Sequence, residues 1–123
     1  MGKIERFEDL ECWKSARELV KTIFVLSDTG KLNQDFETSR QLRRASLSIM
    51  NNIAEGFGRL SNKDFRRFLD IAVGSAFEVK SIIYVLEDLK YISNEEIQEL
   101  HNKVNKTINQ TIGLIRYLNK QIK

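Results

Sequence analysis

A chain of 123 residues, 41% apolar and 30% charged, has the ordinary balance of a globular protein and is long enough to bury one hydrophobic core. Its net charge of +3 is too small to argue for nucleic-acid binding by itself, its single cysteine excludes an internal disulfide, and no window approaches the roughly 18 consecutive apolar residues of a membrane span. Because the first residues also lack an apolar run of signal-peptide length, we expect one cytoplasmic domain, residues 1–123, with no membrane partner.

The first two predicted elements are amphipathic helices. The first covers about 8–27 and is followed by a chain reversal at Gly30. Its apolar residues recur every three or four positions, so they form one helix face that we expect to line the core: Leu10, Trp13, Ala16, Val20, Ile23, Phe24 and Ser27. Leu19 and Leu26 lie to the side of this stripe. The second helix runs from about Asp35 to Ala54 or Gly56 and is ended by the segment GFGRLS. The absence of proline permits both helices to run without interruption.

The third and fourth helices each begin with a capping signal. Ser61 precedes the third helix, with Asp64 three residues further on, and this helix continues to about residue 89. Ser93 and Glu96 form the S-x-x-E capping box of the fourth helix, which runs almost to the last residue. Four amphipathic helices joined by short loops predict an all-α fold, an up-down-up-down antiparallel four-helix bundle.

The third helix carries more apolar surface than one core needs. Val73, Phe77 and Tyr84 fall to one side of the stripe that faces the core. Single exposed apolar residues are normal, but a contiguous second stripe is better explained by a partner. The pattern therefore predicts that the chain self-associates.

The outer face of the second helix supports the same prediction. It carries arginines, an amide and small residues, where a solvated face usually carries interchangeable lysines and glutamates. We expect this face and the second stripe of the third helix to form the subunit interface, with the candidate residues Arg40, Leu47, Asn51, Glu55, Val73, Phe77 and Tyr84. The alternative for the arginines is simple ion pairing of Arg43 or Arg44 with Glu37 or Glu55.

The positive charge is concentrated in one segment of the chain. Residues 40–67 contain seven basic and two acidic residues, a net charge of +5. Such a patch suits a polyanion, since each phosphate that is neutralised releases counterions, and the candidate nucleic-acid-binding residues are Arg43, Arg44, Arg59, Lys63, Arg66 and Arg67. The alternative is that this cluster is only the solvated end of a bundle.

No residue pattern indicates an enzyme, and we expect no catalytic residues, metal or cofactor. His101, the only histidine, follows Gln98, so the Glu-x-x-His pair of di-iron bundles is absent. GFGRLS lacks the spacing of a phosphate-binding loop, and Cys12 has no partner for nucleophilic catalysis. The acidic residues Glu55, Asp64 and Asp70 would converge on a metal only by accident of folding.

The central segment QLRRASLSIMNNIAEGFGRLSNKDFRRFLDIAVGSAFEV resembles the signature of bacterial four-helix bundle proteins encoded in intervening sequences of 23S ribosomal RNA genes, the S23 ribosomal protein family. The resemblance implies a homopentameric ring. The resemblance extends to a related branch, the accessory variability determinant of diversity-generating retroelements, which looks like a basic pentameric barrel that binds a reverse transcriptase and nucleic acid. One departure is Met50, where the family pattern commonly has a proline that would kink the helix.

Two functional hypotheses remain open. The first is a non-enzymatic oligomeric scaffold that binds RNA or a ribonucleoprotein through its basic surface. The second is a protein–protein interaction module without nucleic-acid binding, whose arginines are used in pairs between subunits. The two differ in whether RNA binding falls steeply with salt.

Overall fold

The computed structural model describes residues 4–122, and all regular secondary structure in this part of the chain is helical. A short 3-10 turn at Phe7–Asp9 precedes five α-helices: α1 Glu11–Ser27, α2 Gly30–Gln34, α3 Phe36–Phe57, α4 Asn62–Asp88 and α5 Asn94–Gln121. The four predicted helices correspond to α1, α3, α4 and α5. None of the helices within residues 4–122 combines the length and apolarity that a membrane crossing requires.

The structure changes two details of the predicted element order. The first helix begins at Glu11 rather than near residue 8, because Leu10 is extended after the 3-10 turn. The loop expected around Gly30 contains α2, a five-residue helix whose Leu32 is fully buried. Gly30 does reverse the chain, with a positive φ of 65° that glycine adopts without steric cost.

The predicted capping residues are confirmed in detail. The Ser61 hydroxyl accepts a hydrogen bond from the Asp64 N–H, and Ser93 and Glu96 form a complete capping box. α3 is capped by Asp35, whose carboxylate also accepts a hydrogen bond of 2.8 Å from the Tyr91 hydroxyl. These caps satisfy the N–H groups that the first turn of a helix leaves without partners.

The long helices form a bundle in which each packs against two others: α1 against α3 and α5, and α4 against α3 and α5. Polar contacts join α4 to both neighbours. Ser48 of α3 hydrogen-bonds Ser75 at 2.8 Å, and Lys80 donates to Asn105 of α5 at 2.8 Å. The core between the helices is aliphatic, with large fully buried side chains such as Leu19, Ile23, Leu42, Ile49, Ile53, Leu69, Val79, Ile83, Leu86, Leu100 and Val104.

The core stripe of α1 differs from the prediction. Leu19, expected beside the stripe, is fully buried, whereas Trp13 and Phe24 are only half-buried. The Trp13 ring packs edge-to-face on Phe7, with 5.1 Å between ring centroids, and Phe24 packs against the guanidinium of Arg43. Both aromatic rings are therefore covered by side chains at the rim of the bundle, and Leu19 takes the central position.

Candidate nucleic-acid and subunit interfaces

Four of the predicted nucleic-acid-binding residues come together where α3 turns into α4. Arg59 lies in the turn itself, and Lys63, Arg66 and Arg67 lie three and four residues apart on the first turns of α4, which places them on one helix face. We call these four residues the basic corner. All four are exposed.

A close helix contact fixes the position of this corner. Gly56 lies against α4 so tightly that a Cβ atom there would come within 2.7 Å of the Phe68 Cβ. Beside it, the Phe57 and Phe65 rings pack edge-to-face with 5.9 Å between centroids. The turn that carries Arg59 is therefore held by packed groups on both sides.

Within the basic corner, two cations are positioned and two are unpaired. The guanidinium carbons of Arg59 and Arg67 each lie 4.7 Å from the centroid of the Phe68 ring, a cation–π distance. Arg59 also pairs with Glu55 at 2.7 Å, and Arg67 approaches Asp64 at 3.8 Å. Lys63 and Arg66 make no ion pair within residues 4–122. Exposed pairs contribute about 0–1 kcal/mol, so a phosphate can replace them at little cost.

The other two predicted nucleic-acid-binding residues lie elsewhere. Arg44 pairs with Glu78 of α4 at 3.0 Å. It lies about 20 Å along α3 from the basic corner, at 1.5 Å of rise per residue. Arg43 turns toward the end of α1, where its guanidinium carbon lies 4.8 Å from the centroid of the Phe24 ring and one nitrogen is 3.5 Å from Asp28. The structure therefore brings four of the six residues together and gives the other two partners within the bundle.

The predicted subunit-interface residues lie on two surfaces. Val73, Phe77 and Tyr84 are on the side of α4 that faces α5, because the Tyr84 ring packs on His101 with 4.8 Å between centroids. Val73 is half-buried, and Phe77 and Tyr84 are 51% and 52% exposed. The remaining candidates lie on the outer face of α3, and they are Arg40, Leu47, Asn51 and Glu55.

Two of the α3 candidates already have partners within the chain. Arg40 pairs with Glu37 at 2.9 Å, and Glu55 pairs with Arg59 of the basic corner. Leu47 and Asn51 lie between them, exposed. The outer face of α3 thus presents Leu47 and Asn51 in its middle and one ion pair at each end.

Exposed apolar side chains at helix ends were not predicted from the sequence, and Leu60 and Phe36 are the most exposed of them. Leu60, in the turn of the basic corner, is completely exposed at 106%, and Phe36, the first residue of α3, is 76% exposed. The signal for Leu60 was present in GFGRLS, where leucine stands among turn-forming residues. The sequence gave no indication that Phe36 is exposed, because an aromatic residue at the start of an amphipathic helix is expected to belong to the apolar face of that helix.

Neither a metal-ligand cluster nor an activated thiol is present among the described residues. No group of three or more His, Cys, Asp and Glu side chains within residues 4–122 is arranged to hold a metal ion. Burial raises the pKa of the Cys12 thiol to about 11, so this thiol stays protonated at neutral pH and is a poor nucleophile. Cys12 borders an apolar groove of about 500 Å³ between the N-terminal segment and α5, lined also by Ile4, Leu10, Leu114 and Tyr117.

Comparison with known proteins gives one family and one fold. A family model described as 23S rRNA-intervening sequence protein matches residues 8–113. A crystal structure of a protein of unknown function from the S23 ribosomal protein family of Bacteroides thetaiotaomicron is similar, with a TM-score of 0.77, 24% identity, and coverage of 85% of this chain and 95% of that chain. At that identity the likeness shows the fold alone. No curated protein matches the chain.

Proposed function

The chain belongs to the family of 23S rRNA-intervening sequence proteins, and from that premise we propose that it is a non-enzymatic oligomeric scaffold that binds RNA, free or within a ribonucleoprotein, through its basic corner. The observation that carries the proposal is the corner itself. Two of its cations are held over one aromatic ring, and the other two make no ion pair within residues 4–122. Positioned, exposed cations suit phosphate oxygens.

We infer that the four long helices alternate in direction, up-down-up-down. Two observations support this arrangement. A groove is lined by Leu10 before α1, by the α3–α4 turn and by Leu114 and Leu118 near the end of α5. The hydrogen bond between Tyr91 and Asp35 joins the α4–α5 loop to the start of α3. In this arrangement the basic corner lies at one end of the bundle.

The oligomer that we propose is a closed ring, a homopentamer by the resemblance to the family. A ring needs a heterologous contact, in which one surface of a subunit meets a different surface of the next. The outer face of α3 and the apolar side of α4 supply two different surfaces. Every subunit of a ring presents the same basic corner, so the positive field around the assembly is larger than that of one chain.

Charge reversal at the unpaired cations tests the proposal. The variant Lys63→Glu/Arg66→Glu should bind a labelled 20-nucleotide RNA at least about tenfold more weakly in fluorescence anisotropy at near-physiological salt. The dependence of log K on log salt should become shallower by about 1.4, because two phosphate contacts are lost from a single strand. Neither side chain is among the proposed subunit-interface residues, so light scattering should find the oligomer unchanged.

Lys21→Glu/Lys106→Glu is the matched control, since it changes the net charge equally at exposed lysines of α1 and α5 that make no ion pair in the described chain. It should retain most of the affinity. An equal loss of RNA affinity in both variants would mean that binding depends on the net charge of the protein and not on the basic corner. An unmodified protein that binds no RNA at near-physiological salt would overturn the proposal in favour of a protein–protein interaction module.

A further inference from the structure

The basic corner contains one side chain that its positive charge does not explain. Leu60 follows Arg59 in the turn and precedes the capping residue Ser61, and it is completely exposed. It is absent from the hydrophobic core and from the half-buried residues packed against the core. The isobutyl group therefore contributes nothing to the packing of the chain by itself.

Turns are usually built from glycine and small polar residues, and Gly58 and Ser61 flank this position. A single exposed leucine needs no explanation by itself, but this one adds an apolar group to the corner that carries four cations. Surface of this composition complements a ligand that offers both negative charge and an apolar face.

We propose that the basic corner recognises unpaired RNA, with Leu60 packed against the face of a base while the corner's cations hold the adjoining phosphates. This inference rests on the proposed function, since it specifies which form of RNA the corner binds. A single strand exposes base faces beside its phosphates, whereas a duplex stacks these faces inside the helix and offers mainly phosphates and sugars.

The two positioned arginines favour the same ligand. Arg59, the residue before Leu60, and Arg67 are held on the Phe68 ring, and their exposed side chains can contact bases as well as phosphates. The α3–α4 packing at Gly56 and Phe68 fixes the turn that carries Leu60. The turn and the two arginines are thus positioned before any ligand binds.

A comparison of two RNAs tests this inference. Anisotropy is measured with a labelled 12-nucleotide oligouridylate and with a 12-base-pair RNA duplex, at the same salt concentration. The unmodified protein should prefer the single strand. Leu60→Ser should weaken single-strand binding about five- to tenfold, the change expected when an apolar side chain no longer leaves water, and should leave duplex binding within twofold.

Two further variants test whether the effect depends on base stacking at position 60. Leu60→Trp should strengthen single-strand binding, because an indole stacks on bases better than an isobutyl group. Leu89→Ser removes another exposed leucine, at the far end of α4, and should change neither affinity. Because Leu60 packs against nothing, both substitutions at that position should leave the fold intact.

The outcomes separate this inference from the proposed function. Equal binding of both RNAs, with Leu60→Ser indistinguishable from the unmodified protein, would overturn the inference and leave RNA binding by the corner standing. Absence of binding to either RNA would overturn both. Binding to vesicles of anionic phosphatidylserine that Leu60→Ser abolishes, with RNA affinity unchanged, would assign Leu60 to a lipid surface and would also overturn the inference.

Discussion

Arg43 shows that the surroundings of a charged residue depend on contacts that the sequence alone does not reveal. Its neighbours Arg40 and Arg44 are exposed, but Arg43 packs over Phe24, and its Nε is buried without a hydrogen-bond partner in the described chain. An arginine in this position contributes packing and a cation–π contact that tie α3 to the end of α1.

Replacement of Arg43 should therefore affect stability and spare RNA binding. Arg43→Gln is expected to lower the free energy of unfolding by about 1 kcal/mol, the loss of one partly shielded cation–π contact and its packing. Urea denaturation measures this change. The affinity of Arg43→Gln for single-stranded RNA should stay within twofold of that of the unmodified protein.

Arg116→Gln is the matched control for Arg43→Gln, since Arg116 is an exposed arginine of α5 that makes no ion pair within residues 4–122. It should change the free energy of unfolding by less than about 0.5 kcal/mol. A large loss of RNA affinity in Arg43→Gln with stability unchanged would return Arg43 to the nucleic-acid surface.

At the scale of elements, the contact between Asp35 and Tyr91 joins the cap of α3 to the loop that precedes α5. The pKa of Asp35 is lowered, first by the Thr38 N–H and then by the Tyr91 hydroxyl, and the pKa of Tyr91 is raised by its hydrogen bond to Asp35. The Asp35 contribution is present above the unfolded pKa near 4 and is lost as the pH falls through the lower folded value. The Tyr91 contribution is present below about pH 10 and is lost as the pH rises through the higher folded value.

Tyr91→Phe should accordingly be less stable than the unmodified protein over a defined pH window. The melting temperature should be a few degrees lower between about pH 5 and pH 9, with the difference shrinking on either side as Asp35 gains or Tyr91 loses its proton. Thermal unfolding followed by circular dichroism across this range measures the effect. A difference that stays constant from pH 3 to pH 11 would mean that packing of the ring, and not the hydrogen bond, stabilises the loop.

The long helices could be predicted from the sequence because the apolar residues of each recur every three or four positions. Ser61 and Ser93 also supply local capping signals for α4 and α5. The sequence did not predict α2, since five residues with one buried leucine are too short to show a period. It misplaced Leu19 because the depth of a residue depends on which helices lie beside α1. The partners of Arg43 and Arg44 are on other helices, so no local pattern could assign them.

The complete chain carries two candidate subunit surfaces and one basic corner. The apolar side of α4 and the outer face of α3 are the surfaces through which we propose that copies meet, and the basic corner is what each copy contributes to RNA binding. The net charge of one chain is only +3. Repetition around a ring would raise the number of phosphates held at once and make binding steeply salt-dependent.

Binding of RNA by an assembly of chains can be measured by light scattering during size-exclusion chromatography of the protein mixed with a single-stranded RNA. At near-physiological salt we expect one peak that contains both molecules, with a protein mass several times the 14.3 kDa of one chain and close to five times that value for the proposed ring. A protein peak at 14.3 kDa, separated from the RNA, would contradict this expectation.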